Sequence, residues 1–138
     1  MTKNRRFLVG LLRAIGLLDL LALLAVISPR GWIEECHQSL GMGSFPVEPI
    51  TGYLARSTSL WYASYGMLLW FVSSDVEKNS QLIACLAWIM VVQGFVVVGI
   101  DIAEGMPGWW TAIEGPCCIG LGASLLIAQG PLKSKKAP

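Results

Sequence analysis

An acidic residue, Asp19, lies inside the first long apolar run of the sequence. Counted from Phe7 at about 1.5 Å per residue, it lies roughly 18 Å into that run, past the middle of a hydrocarbon core about 30 Å thick. A carboxyl group at that depth costs on the order of 2.5–3.5 kcal/mol, so we expect it to face protein or a cavity. Its small neighbours Gly16 and Ala22 indicate the same inward orientation.

Three other polar side chains are predicted at a similar depth: Gln93 in the third apolar run, and Tyr62 and Tyr65 in the second. Two interpretations follow. The functional one is a polar layer that binds a ligand head group, a proton or an ion between the helices. The structural one is that Asp19 hydrogen-bonds Gln93 or a tyrosine and fixes the helix register.

A second polar cluster is predicted at the outer membrane surface. Arg56 begins the apolar part of the second run, Asp101 follows the third, and Glu104 and Glu114 lie close to it in sequence. Adjacent antiparallel spans would bring Arg56 and Asp101 near each other. The pair is then either an interfacial ion pair that stabilises the fold slightly, or part of the mouth of a pocket that opens outward.

Metal chemistry is not favoured. The stretch from Glu34 to His37 holds three types of metal ligand, but consecutive residues seldom converge on one ion, and His37 is the only histidine. We therefore predict no metal site. The sequence also contains no phosphate loop, nucleophile elbow or basic aromatic patch for nucleic acid. These absences count little in a membrane protein, whose catalytic groups need not be grouped in sequence, and a non-enzymatic role is the expectation.

The four cysteines do not form a recognisable framework. Cys36, Cys117 and Cys118 are predicted on the outer side and Cys85 on the inner side. A bridge from Cys36 to Cys117 or Cys118 in an oxidising compartment and small buried thiols are both compatible with the sequence.

The elements that position these residues are predicted from composition. Hydrophobic residues make up 54% of the 138 residues and charged residues only 14%, against about 25% in an average soluble domain. The charges collect between long apolar runs, which is typical of an all-α integral membrane protein. We predict one four-helix transmembrane domain over residues 1–130, with spans at about 7–28, 51–73, 81–100 and 109–129, and a disordered basic tail at 131–138.

Three local alternatives accompany this assignment. Residues 1–28 resemble a secretory signal, but no small-x-small cleavage site follows, so a retained first helix is expected. A short interfacial helix is expected around Trp32 to Leu40. Pro116 either opens a short fourth helix or kinks a longer one that begins near Trp109.

The basic residues predict the orientation. Eight of them fall at the termini or in the turn between the second and third spans: Lys3, Arg5, Arg6, Arg13, Lys78, Lys133, Lys135 and Lys136. Only Arg30 and Arg56 fall in the other two loops. Under the positive-inside rule, both termini therefore face the cytoplasm, and the protein is a multi-pass protein of the inner membrane.

Two short stretches resemble the DoxX-like group of small bacterial four-helix membrane proteins. One is Ala55-Arg56-Ser57 leading into Tyr65-Gly66-Met67-Leu68-Leu69, and the other is Gly99-Ile100-Asp101 before Gly105-Met106-Pro107. The resemblance implies the four-helix fold. Some members of the group are similar to subunits of quinone-linked oxidoreductases, so it also implies a quinone as a candidate cofactor. It assigns no catalytic residue.

The sequence therefore favours an accessory subunit or an intramembrane binder of an apolar ligand, with Asp19, Gln93, Tyr62, Tyr65, Arg56, Asp101 and Glu114 as candidate ligand-binding residues. One alternative is a quinone-linked membrane redox component, in which Asp19 and the Arg56–Asp101 end handle protons. Another is a small transporter that works as an oligomer. The expected partners are the lipid bilayer and either a membrane-protein partner or further copies of the chain, with no nucleic acid.

Overall fold

The structure is a computed structural model that describes residues 3–134, with side chains up to residue 130. The described chain is all helical. Its helices, in chain order, are α1 (Lys3–Leu20), α2 (Leu23–Ile27), α3 (Arg30–Ser39), α4 (Pro49–Ser73), α5 (Ser80–Glu104) and α6 (Gly108–Ser134). The predicted helical class is confirmed, and α3 confirms the short helix expected after the first span.

Three helical segments of the described chain are long and apolar enough to cross a membrane: Lys3–Ile27, Ser80–Glu104 and Gly108–Gly130. The first joins α1 and α2 across a two-residue turn. These segments correspond to the predicted first, third and fourth spans. Three apolar helices of this length indicate a membrane protein, because each is long enough to cross the hydrocarbon core of a bilayer.

Helix α4 is the predicted second span, and it is less apolar than the other three. At 25 residues it is long enough to cross a bilayer, since it extends about 37 Å. Its sequence, however, contains four serines, three tyrosines and Arg56, which lower its hydropathy. The membrane-spanning role of α4, and with it the four-helix bundle, therefore stays a prediction.

The end of α5 differs from the predicted one. The helix continues four residues beyond Ile100, to Glu104, so Asp101 lies within it rather than in a loop. Gly105 ends the helix in the left-handed conformation with φ 68°, which a glycine adopts without steric cost. The Met106 N–H then donates to the Asp101 carbonyl at 2.9 Å. This arrangement satisfies carbonyls that the helix end would otherwise leave without partners.

Helix α6 decides between the two alternatives for Pro116. It is one continuous element that begins at Gly108 and passes through Pro116, as the longer-helix alternative expected. It also continues through Pro131 to Ser134, so residues 131–134 of the predicted disordered tail are helical, because a proline removes only one backbone donor from the ladder. The rest of that tail lies outside the described residues.

The chain divides into two compact units. The terminal unit contains the residues up to Ile15 and those from Leu69 onward, and the central unit is Gly16–Leu68. Helices α1 and α4 each contribute residues to both units. The prediction of a single domain is not decided by this division.

The terminal unit is built on close packing of α5 against α6. The buried face of α5 includes Ile83, Ala87, Met90 and Gly94, a spacing of three and four residues. A Cβ atom added to Gly122 of α6 would lie 2.6 Å from the Ala87 carbonyl oxygen, which is closer than real Cβ atoms come. The two backbones therefore touch, which is how helices associate in lipid.

This contact makes a substitution at Gly122 costly. We expect Gly122→Ala to lower the free energy of unfolding by about 1–3 kcal/mol, because the helices must separate to admit the methyl group. The matched control is Gly120→Ala on the same helix, where an added Cβ would meet nothing within 4 Å. Thermal loss of the helical circular-dichroism signal measures the difference. Equal midpoints for the two variants would contradict the contact.

Candidate functional site

In the central unit, Asp19 lies where α1 and α4 approach most closely. Its side chain is half-buried, while Gly16 on α1 and Gly66 on α4 are both buried. A Cβ atom added to Gly66 would lie 2.6 Å from the Gly16 carbonyl oxygen and 2.9 Å from the Asp19 Cβ. Because Gly66 has no side chain, the Cβ atom of Asp19 can lie against the backbone of α4. This position is compatible with the expected inward orientation of Asp19.

The helical hydrogen-bond pattern changes immediately after Asp19. The Ala22 N–H donates to the Asp19 carbonyl at 3.1 Å, and the Leu24 and Ala25 N–H groups likewise donate to carbonyls only three residues back. A stretch of such tighter bonds inside a long helix marks a hinge or a strained site. Residues 20–23 contain no proline or glycine. Local sequence therefore does not account for the interruption, and nothing in the sequence pattern predicted it.

Two serine hydroxyls in the middle of α4 are engaged within their own helix. The Ser59 hydroxyl donates to the Ala55 carbonyl at 2.8 Å, and the Ser64 hydroxyl donates to the Leu60 carbonyl at 2.8 Å. On the same helix, Tyr62 is exposed and Tyr65 is half-buried. The two serines retain only acceptor capacity, which leaves the Asp19 carboxyl as the group of this layer on which the ligand argument depends.

Gln93 belongs to the terminal unit and is exposed on α5, off the buried face that carries Gly94. From the sequence, we expected Gln93 to point into the helix bundle at the level of Asp19. A hydrogen bond between Asp19 and Gln93 or a tyrosine stays a prediction.

Arg56 has a structural partner in the central unit. Its Nη2 donates to the Ser28 carbonyl at 3.0 Å, and Ser28 is the residue that ends α2. The last carbonyls of a helix lack partners within it, and the following Pro29 has no N–H to contribute nearby. Arg56 therefore caps the C-terminal end of α2 from α4, and this role requires no ligand.

Asp101 is the most buried acid in the described chain, with 4% of its surface exposed. It lies in the terminal unit on the face of α5 that also carries Ala87 and Gly94. Among the described residues, its Oδ2 has no hydrogen-bond partner. Glu114, predicted to belong to the same cluster, accepts a hydrogen bond from the Trp110 Nε1–H one turn earlier on α6. Its partner is thus local.

Two of the residues with metal-ligand side chains, Glu34 and His37, hold together the segment between α3 and α4 in the central unit. The Glu34 Oε2 accepts a hydrogen bond from the Phe45 N–H at 3.0 Å, and the His37 Nδ1–H donates to the Gly43 carbonyl at 3.0 Å. The His37 ring also meets the buried Phe45 ring edge-on, with 5.5 Å between centroids. Residues 3–134 contain no group of three or more potential metal ligands. The described chain contains no disulfide, and Cys36, Cys85 and Cys117 are exposed, so the alternative of small buried thiols is wrong for these three.

Comparisons with protein-family models, with curated proteins and with solved structures found no match. The candidate site is therefore chosen from the side chains and the backbone geometry of this chain. The combination at Asp19 is a half-buried carboxyl, a close helix contact and an irregular backbone inside an apolar span. In hydrocarbon, irregular backbone persists only where protein or a cavity surrounds it. Asp19 is accordingly the first candidate for contact with a bound molecule, and Asp101 is the second.

The capping role of Arg56 is testable by substitution. We expect Arg56→Met to lower the free energy of unfolding by about 1.5–3 kcal/mol, because the Ser28 carbonyl loses a hydrogen bond from a charged donor. Thermal unfolding of the purified protein measures this. Lys78→Met, which removes a charge from an exposed side chain in the turn after α4, is the control. A midpoint for Arg56→Met as high as that of Lys78→Met would show that the bond contributes nothing.

Proposed function

We propose that this chain is a four-span protein of the inner membrane that binds an apolar ligand through the polar layer at Asp19 and does not catalyse a reaction. The observation that carries the proposal is the interrupted helix beside Asp19, at the Gly16–Gly66 contact. A ligand with a long apolar part and a hydrogen-bonding head group fits such a site, because the bilayer dissolves the first and Asp19 binds the second.

The contacts of α4 support the proposal that this helix, the predicted second span, also crosses the membrane. In the central unit, Gly66 lies beside Gly16 and Arg56 bonds Ser28, so α4 runs antiparallel to α1 and α2. In the terminal unit, Arg13 bonds Ser73, which again corresponds to an antiparallel pair. In each unit, α4 therefore lies against part of the apolar segment Lys3–Ile27, which supports a membrane crossing by α4 as well. Protein contact on one side then compensates for its lower hydropathy.

The proposed orientation has both termini in the cytoplasm. The Arg5 Nε lies 3.0 Å from the Glu77 Oε1, so in the terminal unit the start of α1 and the turn after α4 lie on the same side. Both carry the basic residues that the positive-inside rule assigns to the cytoplasm.

Cysteine labelling tests this topology. In a background with all four native cysteines replaced, we expect a membrane-impermeant maleimide to label Glu104→Cys in intact cells and to leave Lys78→Cys unlabelled until the cells are opened. Both positions are exposed, so the probe reaches either residue whenever it lies on the outside. The reverse pattern would show that the orientation is inverted, and labelling of both would contradict the four-span arrangement.

A quinone is the ligand class that we favour. Its isoprenoid tail is apolar, and its carbonyl oxygens accept hydrogen bonds, which a protonated carboxyl donates. The resemblance to the DoxX-like group, some of whose members are similar to subunits of quinone-linked oxidoreductases, favours the same class. The hypothesis of an intramembrane binder and that of an accessory subunit both place the ligand at Asp19, because a subunit that holds a quinone also binds an apolar ligand.

Native mass spectrometry of the full chain, extracted in mild detergent, tests the binding site. We expect a lipophilic adduct on the unmodified protein, retained in Asp19→Asn, whose amide still donates a hydrogen bond. In Asp19→Leu we expect the adduct to fall about tenfold, the cost of losing one strong hydrogen bond in an apolar site. The control is Asp75→Asn, an exposed acid in the turn after α4. Equal adduct on Asp19→Leu and Asp75→Asn would exclude Asp19 as the binding residue, and a stoichiometric second chain without an adduct would favour the subunit role.

A further inference from the structure

The guanidinium of Arg13 is held in one position in the terminal unit. Its Nε–H donates to the Ser73 hydroxyl at 3.2 Å, and its Cζ lies 5.6 Å from the centroid of the Trp70 ring. The Trp70 Nε1–H in turn donates to the Arg13 carbonyl at 3.1 Å. Ser73 is 2% exposed and donates its own proton to the Trp70 carbonyl. Two side chains therefore orient this arginine by three contacts.

These contacts leave most of the hydrogen-bonding capacity of Arg13 unused. A guanidinium has five N–H donors, and the hydrogen bond to Ser73 uses only the one on Nε. The side chain is exposed, and its two terminal amino groups form the fork that matches two oxygens of a phosphate. An arginine fixed at its Nε and stacked on an aromatic ring loses little further freedom when it binds an anion.

The proposed membrane-spanning role of α4 places this guanidinium at the phosphate level of a bilayer, and the inference rests on that part of the proposed function. Ser73 is the last residue of α4, and the polar turn from Ser74 to Asn79 follows it. Trp70, 43% exposed, is one turn earlier, where aromatic residues mark the interface between hydrocarbon and head groups. Arg13 reaches toward this end of α4 as a long basic side chain does when it extends to the membrane surface.

A second arginine lies on the same face of α1. Arg6 is seven residues, or about 10.5 Å, from Arg13 along the helix, and seven residues return to nearly the same face. Between them, Gly10 is exposed, and a Cβ atom added there would meet nothing within 4 Å. The two arginines thus flank an open stretch of helix surface. Arg5, in contrast, is paired with Glu77.

We propose that Arg13, Gly10 and Arg6 form a binding site for the phosphate of an anionic phospholipid head group, in the leaflet at the basic end of the protein. Arg13 binds the phosphate oxygens through its terminal amino groups, Arg6 supplies the second positive charge, and Gly10 leaves room for the head group. Trp70 and the exposed Phe7 contact the glycerol and the first acyl carbons. The site is separate from Asp19 and does not depend on the function proposed for that residue.

Lipid titration of the full chain in detergent, read by native mass spectrometry, tests the site. The probes are phosphatidylglycerol and phosphatidylcholine with identical acyl chains. We expect preferential binding of phosphatidylglycerol, weakened about tenfold in Arg13→Gln by loss of the charged hydrogen bonds, and about threefold in Arg13→Lys, which keeps the charge but not the fork. The matched control, Lys78→Gln, removes one exposed charge from the turn after α4 and should leave the preference unchanged.

A second variant keeps the test decisive if Arg13→Gln does not fold. Gly10→Leu adds a side chain into open space and replaces a poor helix former, so we expect a thermal midpoint no lower than that of the unmodified protein together with severalfold weaker binding of phosphatidylglycerol. Inorganic phosphate, compared with chloride at equal ionic strength, should not displace the lipid. The proposal is overturned if Gly10→Leu binds like the unmodified protein, if Arg13→Gln and Lys78→Gln behave alike, or if phosphate alone competes.

Discussion

The fold depends on backbone contact between helices at positions without side chains. Hydrocarbon supplies no driving force for apolar helices to associate, so they must gain contact energy by close approach. Gly122 against Ala87 holds α5 to α6 in the terminal unit, and Gly66 against Gly16 holds α4 to α1 in the central unit. Each contact leaves no space for a methyl group. The large apolar side chains, in contrast, are mostly exposed and cover the surface that meets lipid.

The contact at Gly66 has a chemical consequence because Asp19 is part of it. A carboxyl group within an apolar span is tolerated only where its surroundings are protein or a polar molecule. Here it adjoins both a close helix contact and a backbone that departs from α-helical bonding. Strained or irregular backbone persists where the surrounding structure over-determines it, and such places are frequently binding sites.

Several other polar side chains in the described chain bond groups that lie near the ends of helices. Arg56 bonds the Ser28 carbonyl at the end of α2, and buried Gln129 of α6 donates to the Ser80 carbonyl at the start of α5. Arg13 joins Ser73 at the end of α4. These groups share one physical requirement, which is that a backbone or side-chain polar group near hydrocarbon needs a partner. Asp101 departs from this pattern, because its Oδ2 is buried without a hydrogen-bond partner among the described residues.

The sequence by itself determined the helical class and three of the apolar spans, because length and hydropathy are properties of composition. It also singled out Asp19 as a candidate, because acids inside apolar spans are rare. It also placed the glycines at helical spacing. Only the tertiary structure decided which glycines are contacts, since Gly122 and Gly120 look alike in sequence while only one faces a neighbour. The helix interruption after Asp19 was also visible only in the structure, because no proline or glycine marks it in the sequence. The partners of Arg56 and Arg13 were likewise decided by the structure, because hydrogen bonds between residues far apart in the chain follow from packing.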